Sequence, residues 1–288
     1  MPTGSSRQAR LSPDNPGQPG VTRMKLGFIG GGVMAEALIT GIKKSGLAPD
    51  ITVGEPVASR REFFSSLGIT VTADNSVAID GADIIVLAVK PQQFDDVAQS
   101  LSGRLKPEQT VVSILAGIKM HSIGLRLNHD RLVRIMPNTP AQIGHGMCVW
   151  TASPDVPGDV RKFIEKALDS LGEQAYVSDE KYVDIATAVS ASGPAYVFKL
   201  IESMIDGGVL LGMPADLARK LVVQTVAGSA ILTRESGKHP AELASMVTSP
   251  GGTTAAALLA LEEGQFKATI MRAVRAAYER GEELGGGK

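Results

Sequence analysis

A single cysteine, Cys148, stands in 288 residues, which excludes an intrachain disulfide framework and a cysteine-rich metal site. Charge of one sign is also missing: 29 lysines and arginines face 30 aspartates and glutamates, for a formal net charge of -1. No global field therefore draws the chain to nucleic acid, and small or locally bound partners are favoured. Apolar runs end in glycine or charge well before the roughly 20 residues that cross a bilayer, so no membrane partner is expected. No Gly-x-x-x-x-Gly-Lys-Ser/Thr run supplies the lysine and hydroxyl of a triphosphate-binding loop. His121, His129, His145 and His239 share no metal-ligand spacing, so no metal is expected. A hydrophobic content of 43% is enough for a substantial core, and the economy of cysteine fits a reducing, cytoplasmic setting.

What is present is an alternation of strands and helices. Residues 24–29 read as a strand, 30–32 as a turn and 34–42 as an apolar helix, the opening of a βαβ unit. A strand at 50–54, a helix at 57–67 and a strand at 69–71 continue it. The near-continuous aliphatic runs at 82–89 and 111–115 suit parallel strands covered on both faces. A further strand at 131–136 meets the stiff Pro137-Asn138-Thr139-Pro140 loop, and a helix at 160–171 precedes a last strand at 175–177. From Tyr182 onward the pattern is helical. Residues 196–211 are more apolar than one helix stripe requires, which predicts burial on several sides and a subunit interface. The expected architecture is α/β: an N-terminal domain of βα units over 24–177, an all-helical domain over 178–288, and a flexible Pro/Gly-rich extension over 1–23.

Gly30-x-Gly32-x-x-Ala35 follows the first strand and opens the first helix, the context a dinucleotide fingerprint requires. Gly30 permits the tight turn, Gly32 lets the backbone approach a pyrophosphate, and Ala35 allows close helix–strand packing. Val33 and Met34 open the helix whose amides and dipole face that anion. Glu55, at the end of the second strand, is placed to accept from ribose hydroxyls, which favours NADH. Arg60 and Arg61 follow closely and would neutralise the extra phosphate of NADPH, or simply decorate a solvated helix face. The two signals conflict, and either NADPH or NADH remains open.

Four further segments carry polar atoms to a ligand. Val89-Lys90-Pro91 ends an aliphatic strand where parallel sheets face their ligands, although Lys90 would also suit a solvent-facing cap. Asn138 and Thr139 sit between φ-restricted prolines, suited to orienting a nicotinamide or to satisfying local backbone. Ser192-Gly193-Pro194-Ala195-Tyr196 breaks the chain where the helices begin. In the segment 247–254, Ser249, Gly251, Gly252, Thr253 and Thr254 place hydroxyls and glycine-exposed amides at a helix start, where a carboxylate or an ordinary helix cap would use them.

In their order these blocks resemble the pyrroline-5-carboxylate reductase family, through Gly27-Phe28-Ile29-Gly30, Ala88-Val89-Lys90-Pro91, Met136-Pro137-Asn138-Thr139-Pro140, Ser192-Gly193-Pro194-Ala195-Tyr196 and Val247 through Thr254. The resemblance spans residues 24–284. It implies reduction of L-1-pyrroline-5-carboxylate to L-proline by NAD(P)H, the last step of proline biosynthesis. It also implies that residues 24–177 form an N-terminal Rossmann domain, that residues 178–288 form a helical substrate-binding and dimerisation domain, and that active sites are completed across a homodimer or a larger assembly of dimers. It puts Ser249, Gly251, Gly252 and Thr253 on the substrate carboxylate and makes Thr254 the catalytic position, its hydroxyl on the ring nitrogen. Gly30, Gly32, Val89, Lys90, Pro91, Asn138 and Thr139 fall on the cofactor side. Two other readings stay open: a β-hydroxyacid dehydrogenase, for which Lys199 is the nearest candidate lysine, and a nucleotide-responsive scaffold without hydride transfer.

Overall fold

The computed structural model describes residues 23–286; the expected extension, Arg23 apart, lies outside them. Arg23 itself is anchored, its guanidinium 3.1 Å from Asp50. The first half runs β1 (Lys25–Ile29), α1 (Val33–Lys44), β2 (Asp50–Gly54), α2 (Ala58–Ser66), β3 (Thr70–Thr72), α3 (Asn75–Ile79), β4 (Ile84–Leu87), α4 (Phe94–Leu101), β5 (Thr110–Ser113), α5 (Met120–Leu127) and β6 (Leu132–Met136). β7 (Gly146–Ala152), α6 (Gly158–Asp169) and β8 (Gly172–Tyr176) complete the sheet. The helices α7 (Lys181–Ala186), α8 (Gly193–Leu210), α9 (Ala215–Ser236), α10 (Pro240–Met246), α11 (Thr253–Glu263) and α12 (Phe266–Leu284) follow.

The eight strands form one sheet in the order β3-β2-β1-β4-β5-β6-β7-β8, parallel from β3 through β6. All residues of β4 and β6 are buried, as near-continuous aliphatic runs require when both faces are covered. Leu38, Ile42, Val160 and Ile164 of α1 and α6 cover one face, while Ile79, Phe94, Leu101 and Ile123 of α3 to α5 cover the other. The chain leaves β1 toward β2 and returns to β4 on β1's other side. This reversal opens a crevice at the carboxyl ends of β1 and β4, where such sheets bind ligands.

The strand β7 was not anticipated from the sequence and is antiparallel to β6, with β8 parallel to β7. Only a short 3-10 turn, Thr139–Ile143, joins β6 to β7, and so brief a link cannot carry the crossover a parallel pairing needs. Within the single chain none of the residues of α8 is buried, and Leu210 and Leu211 at its end are 88% and 89% exposed. Its apolar face lacks a cover in the single chain. No helix among the described residues is long and apolar enough to cross a membrane.

Ion pairs help tie the helical half to the sheet. Arg134, in the middle of β6 with its side chain 0% exposed, donates to Glu180 at 2.8 Å and to Asp184 of α7 at 2.6 Å. At the other end of the chain, α12 returns to the loop after β5, where Lys119 lies 3.4 Å from Glu282.

Candidate active site

The glycine turn is built by contact as well as conformation. Gly30 has φ +97, and a Cβ there would lie 2.8 Å from the Ala88 carbonyl oxygen at the end of β4. At Gly32 an added Cβ would meet nothing within 4 Å, which leaves that face open to a ligand. Gly32 is the extended N-cap of α1 with no side chain capping it, so the first-turn amides and the helix dipole face the opening. Val33 is exposed and Met34 half-buried at that same end, while Ala35 is fully buried against the sheet. A close-approaching anion fits this cradle.

Glu55 differs from expectation in what its carboxylate touches. It is only 8% exposed; Oε2 accepts from the Gly31 amide at 2.7 Å and Oε1 from the Val57 amide at 2.8 Å. Its immediate partners are thus the glycine turn and the start of α2. Arg60 works on the same turn: Nε donates to the Gly31 carbonyl at 2.8 Å, and the guanidinium pairs with Glu36 at 2.9 Å while lying 4.8 Å from the Phe63 ring centroid. Arg61 donates to the Glu55 and Pro56 carbonyls. The charges read from sequence as discriminating ribose from phosphate form a clamp on backbone in this structure.

Val89 and Lys90 follow β4 beside this turn, with Pro91 opening a 3-10 turn. Asn138 lies two residues beyond β6, which β5 separates from β4; its Oδ1 accepts from Met147 N at 2.8 Å and its Nδ2 donates to Ser190 Oγ at 3.3 Å. Thr139 is exposed. The sheet thus brings together Gly30, Val89 and Asn138 at one edge. Ser190, on a π-turn spanning Thr187–Ala191, went unnoticed in the sequence, although it lies just before the Ser192-Gly193-Pro194 block.

The second cluster stands apart, between α10 and α11. Gly251 has φ +69 and Gly252 is the extended N-cap of α11, with no side chain capping it. Gly252 N donates to Ser249 O at 3.0 Å, which folds the loop onto itself. Thr253 and Thr254 open the helix, exposed and half-buried respectively. Among the described residues α11 packs against α12. Surface cavities of about 630 and 430 Å³ lie at the amino edge of the sheet, near Lys44 and Thr70. No group of three or more metal-ligating side chains occurs among the described residues. Lys199, the dehydrogenase candidate, is exposed and paired with Glu202.

A strand-order switch point with an uncapped glycine turn, followed by helices whose apolar faces lack cover, defines a dinucleotide-dependent oxidoreductase with a dimerisation domain. Residues 180–284 match the family described as pyrroline-5-carboxylate reductase dimerisation, and residues 25–117 match NADP oxidoreductase coenzyme F420-dependent. A pyrroline-5-carboxylate reductase of Pisum sativum is 41% identical over 90% of this chain and 95% of its own length. One from Synechocystis is 42% identical, covering 91% and 98%. The crystal structure of a Plasmodium falciparum pyrroline carboxylate reductase with NADP bound superposes with a TM-score of 0.83 at 32% identity, covering 92% of this chain and 100% of that one. The chain belongs to the pyrroline-5-carboxylate reductase family.

Proposed function

We propose that the chain reduces the C=N bond of L-1-pyrroline-5-carboxylate to give L-proline, the last step of proline biosynthesis, with NADPH or NADH as reductant. The observation that carries this reading is a second glycine at an extended helix N-cap, Gly252 of α11, in a chain that already has one, Gly32 of α1. One suits a pyrophosphate and the other a small carboxylate. The bound reduced cofactor supplies the hydride that adds to the ring carbon of the C=N bond. The chain's own residues orient the two reactants. Gly30, Gly32, Val33 and Met34 seat the pyrophosphate, and Glu55 and Arg60 brace that turn. Val89, Lys90, Pro91, Asn138 and Thr139 wall the nicotinamide side. Ser249, Gly251, Gly252 and Thr253 hold the substrate carboxylate, and Thr254 directs its hydroxyl to the ring nitrogen, which gains or keeps its proton. A threonine hydroxyl is a weak acid, so its contribution is orientation.

Within this reading the division between domains falls near residue 177, and a homodimer or a larger assembly of dimers covers α8 to bring the carboxylate loop of one subunit to the cofactor of another. The exposed Leu210 and Leu211 and the match over 180–284 support it. Nucleic acid and membrane have no part in it. We assign a cytoplasmic location from the single buried cysteine. The test is direct: L-1-pyrroline-5-carboxylate should oxidise NADPH or NADH mole for mole with formation of proline. Cofactor binding without either chemical change would leave a scaffold, and oxidation of 3-hydroxy acids by NAD(P)+ would leave a dehydrogenase. Light scattering that found a fully active monomer would sink the shared site.

A further inference from the structure

We propose that Ser190 is a positioning residue for hydride transfer, acting by holding the carboxamide of Asn138; this rests on Asn138 belonging to the cofactor side. The direction of the contact follows from hydrogen-bond chemistry. Met147 N carries a proton, so the Asn138 atom 2.8 Å from it is the oxygen, and the amide nitrogen must face Ser190. An amide nitrogen only donates, so Ser190 Oγ accepts, and its own proton points elsewhere. That proton and the second Asn138 N–H have no other partner among the described residues.

Ser190 is itself held in place. The π-turn is closed by Ser192 N donating to Thr187 O at 2.9 Å, and Thr187 Oγ1 donates to Val183 O at 2.9 Å. The Tyr196 hydroxyl, from α8, donates to the Ala188 carbonyl at 3.2 Å. Upstream, the Arg134 pairs with Glu180 and Asp184 fix α7 to β6, the strand that ends two residues before Asn138. Asn138 and Ser190 thus attach one edge of the sheet to the first helices of the second half at a point 52 residues apart in sequence. A π-turn shifts the register of the helix after it and recurs at functional sites. At 3.3 Å the Asn138–Ser190 bond is long, so it restrains direction more than it adds stability.

The experiment compares Ser190→Ala, Ser190→Cys, Ser190→Thr, Asn138→Ala and the double alanine variant. Steady-state kinetics, melting, and the primary isotope effect with deuterated reduced cofactor are measured on each. Ser190→Ala should lower kcat about tenfold with a larger isotope effect, little change in cofactor KM, and a Tm within about 2 °C of the parent. Ser190→Thr should restore most of the rate, and Asn138→Ala should cost at least as much as Ser190→Ala. The double variant should be no slower than Asn138→Ala. If alanine loosens the π-turn and lowers Tm further, Ser190→Cys keeps the volume, replaces the acceptor by a weak one, and carries the same expectation. Normal kinetics in both Ser190→Ala and Ser190→Cys beside a damaged Asn138→Ala would overturn the proposal and leave Asn138 at the cofactor. Losses that multiply in the double variant would overturn it too. An undamaged Asn138→Ala would remove Asn138 from the cofactor side, and this inference with it.

Discussion

The carboxylate of Glu55 closes the glycine turn from behind: its Oε2 accepts the Gly31 amide at 2.7 Å. The partner is a buried backbone donor, so removing the acceptor exposes a desolvation cost of about 1–3 kcal/mol. Glu55→Ala should therefore lower stability by about that much and raise KM for NADPH and NADH together, measured by denaturant unfolding and steady-state kinetics. A gain confined to NADPH, with stability unchanged, would instead return the carboxylate to the ribose.

Gly30 and Gly46 separate conformation from contact. Both have positive φ, +97 and +78, but a Cβ at Gly30 would strike the Ala88 carbonyl at 2.8 Å, whereas one at Gly46 meets nothing within 4 Å. Gly46→Ala should cost only the left-handed penalty of about 1–2 kcal/mol. Gly30→Ala should cost more and abolish measurable cofactor binding. Equal melting temperatures for the two variants would show that the turn relaxes around the extra methyl.

Much of the fold was legible where local pattern and burial agree. The strand at 50–54 lies as expected, and the aliphatic runs around β4 and β5 are buried strands. The helices α3, α4 and α5 have five to eight residues each, too short for their periodicity to stand out. β7 was hidden because Gly146 begins it directly after a Pro/Gly loop, although Val149 and Trp150 are good strand formers. At the site, the backbone features of Gly30 and Gly252 were readable because glycine at a helix start has few other uses. The partners of Glu55 and Asn138 were not, since side-chain direction depends on which distant amide or hydroxyl the fold delivers.

The ion cluster of Arg134 gives a stability prediction. Arg134→Met leaves Glu180 and Asp184 without their buried cation, and breaking such a pair from one side costs about 3–5 kcal/mol. Urea midpoints should fall accordingly. The Nε of Arg134 already lacks a partner among the described residues, so a variant that also carries Glu180→Gln and Asp184→Asn should recover part of the loss. No recovery would mean that packing of the arginine stem dominates.

Burial pushes the Cys148 thiol up to about 12, so at pH 8 the folded protein exposes almost no thiolate to an alkylating agent. Iodoacetamide should label it only through opening, at a rate that rises with denaturant. Because the folded value exceeds the unfolded one, this group's contribution to stability is full below the unfolded pKa of about 8.5 and is lost as pH climbs toward the folded value. Rapid native labelling at pH 8 would contradict the burial.

Thr254 tests the substrate end of the site. It is the second residue of α11, and the helix start beside it is capped by no side chain, so its hydroxyl is not committed to an N-cap. Thr254→Ala should then leave Tm and cofactor affinity nearly unchanged while lowering kcat/KM for pyrroline-5-carboxylate on the order of tenfold to 100-fold, the range expected when a reacting group loses its alignment. Parallel falls in kcat and kcat/KM would place the hydroxyl's contribution in the transition state, whereas a rise in KM alone would place it in ordinary substrate binding. Thr254→Ser keeps the oxygen and loses a methyl group, so it should retain most of the activity. If alanine instead lowers stability by the roughly 0.5–2 kcal/mol of a lost cap, the hydroxyl serves the helix. Full activity of Thr254→Ala at limiting substrate would move the polar contact with the ring nitrogen to Ser249 or to the amides that follow Gly251.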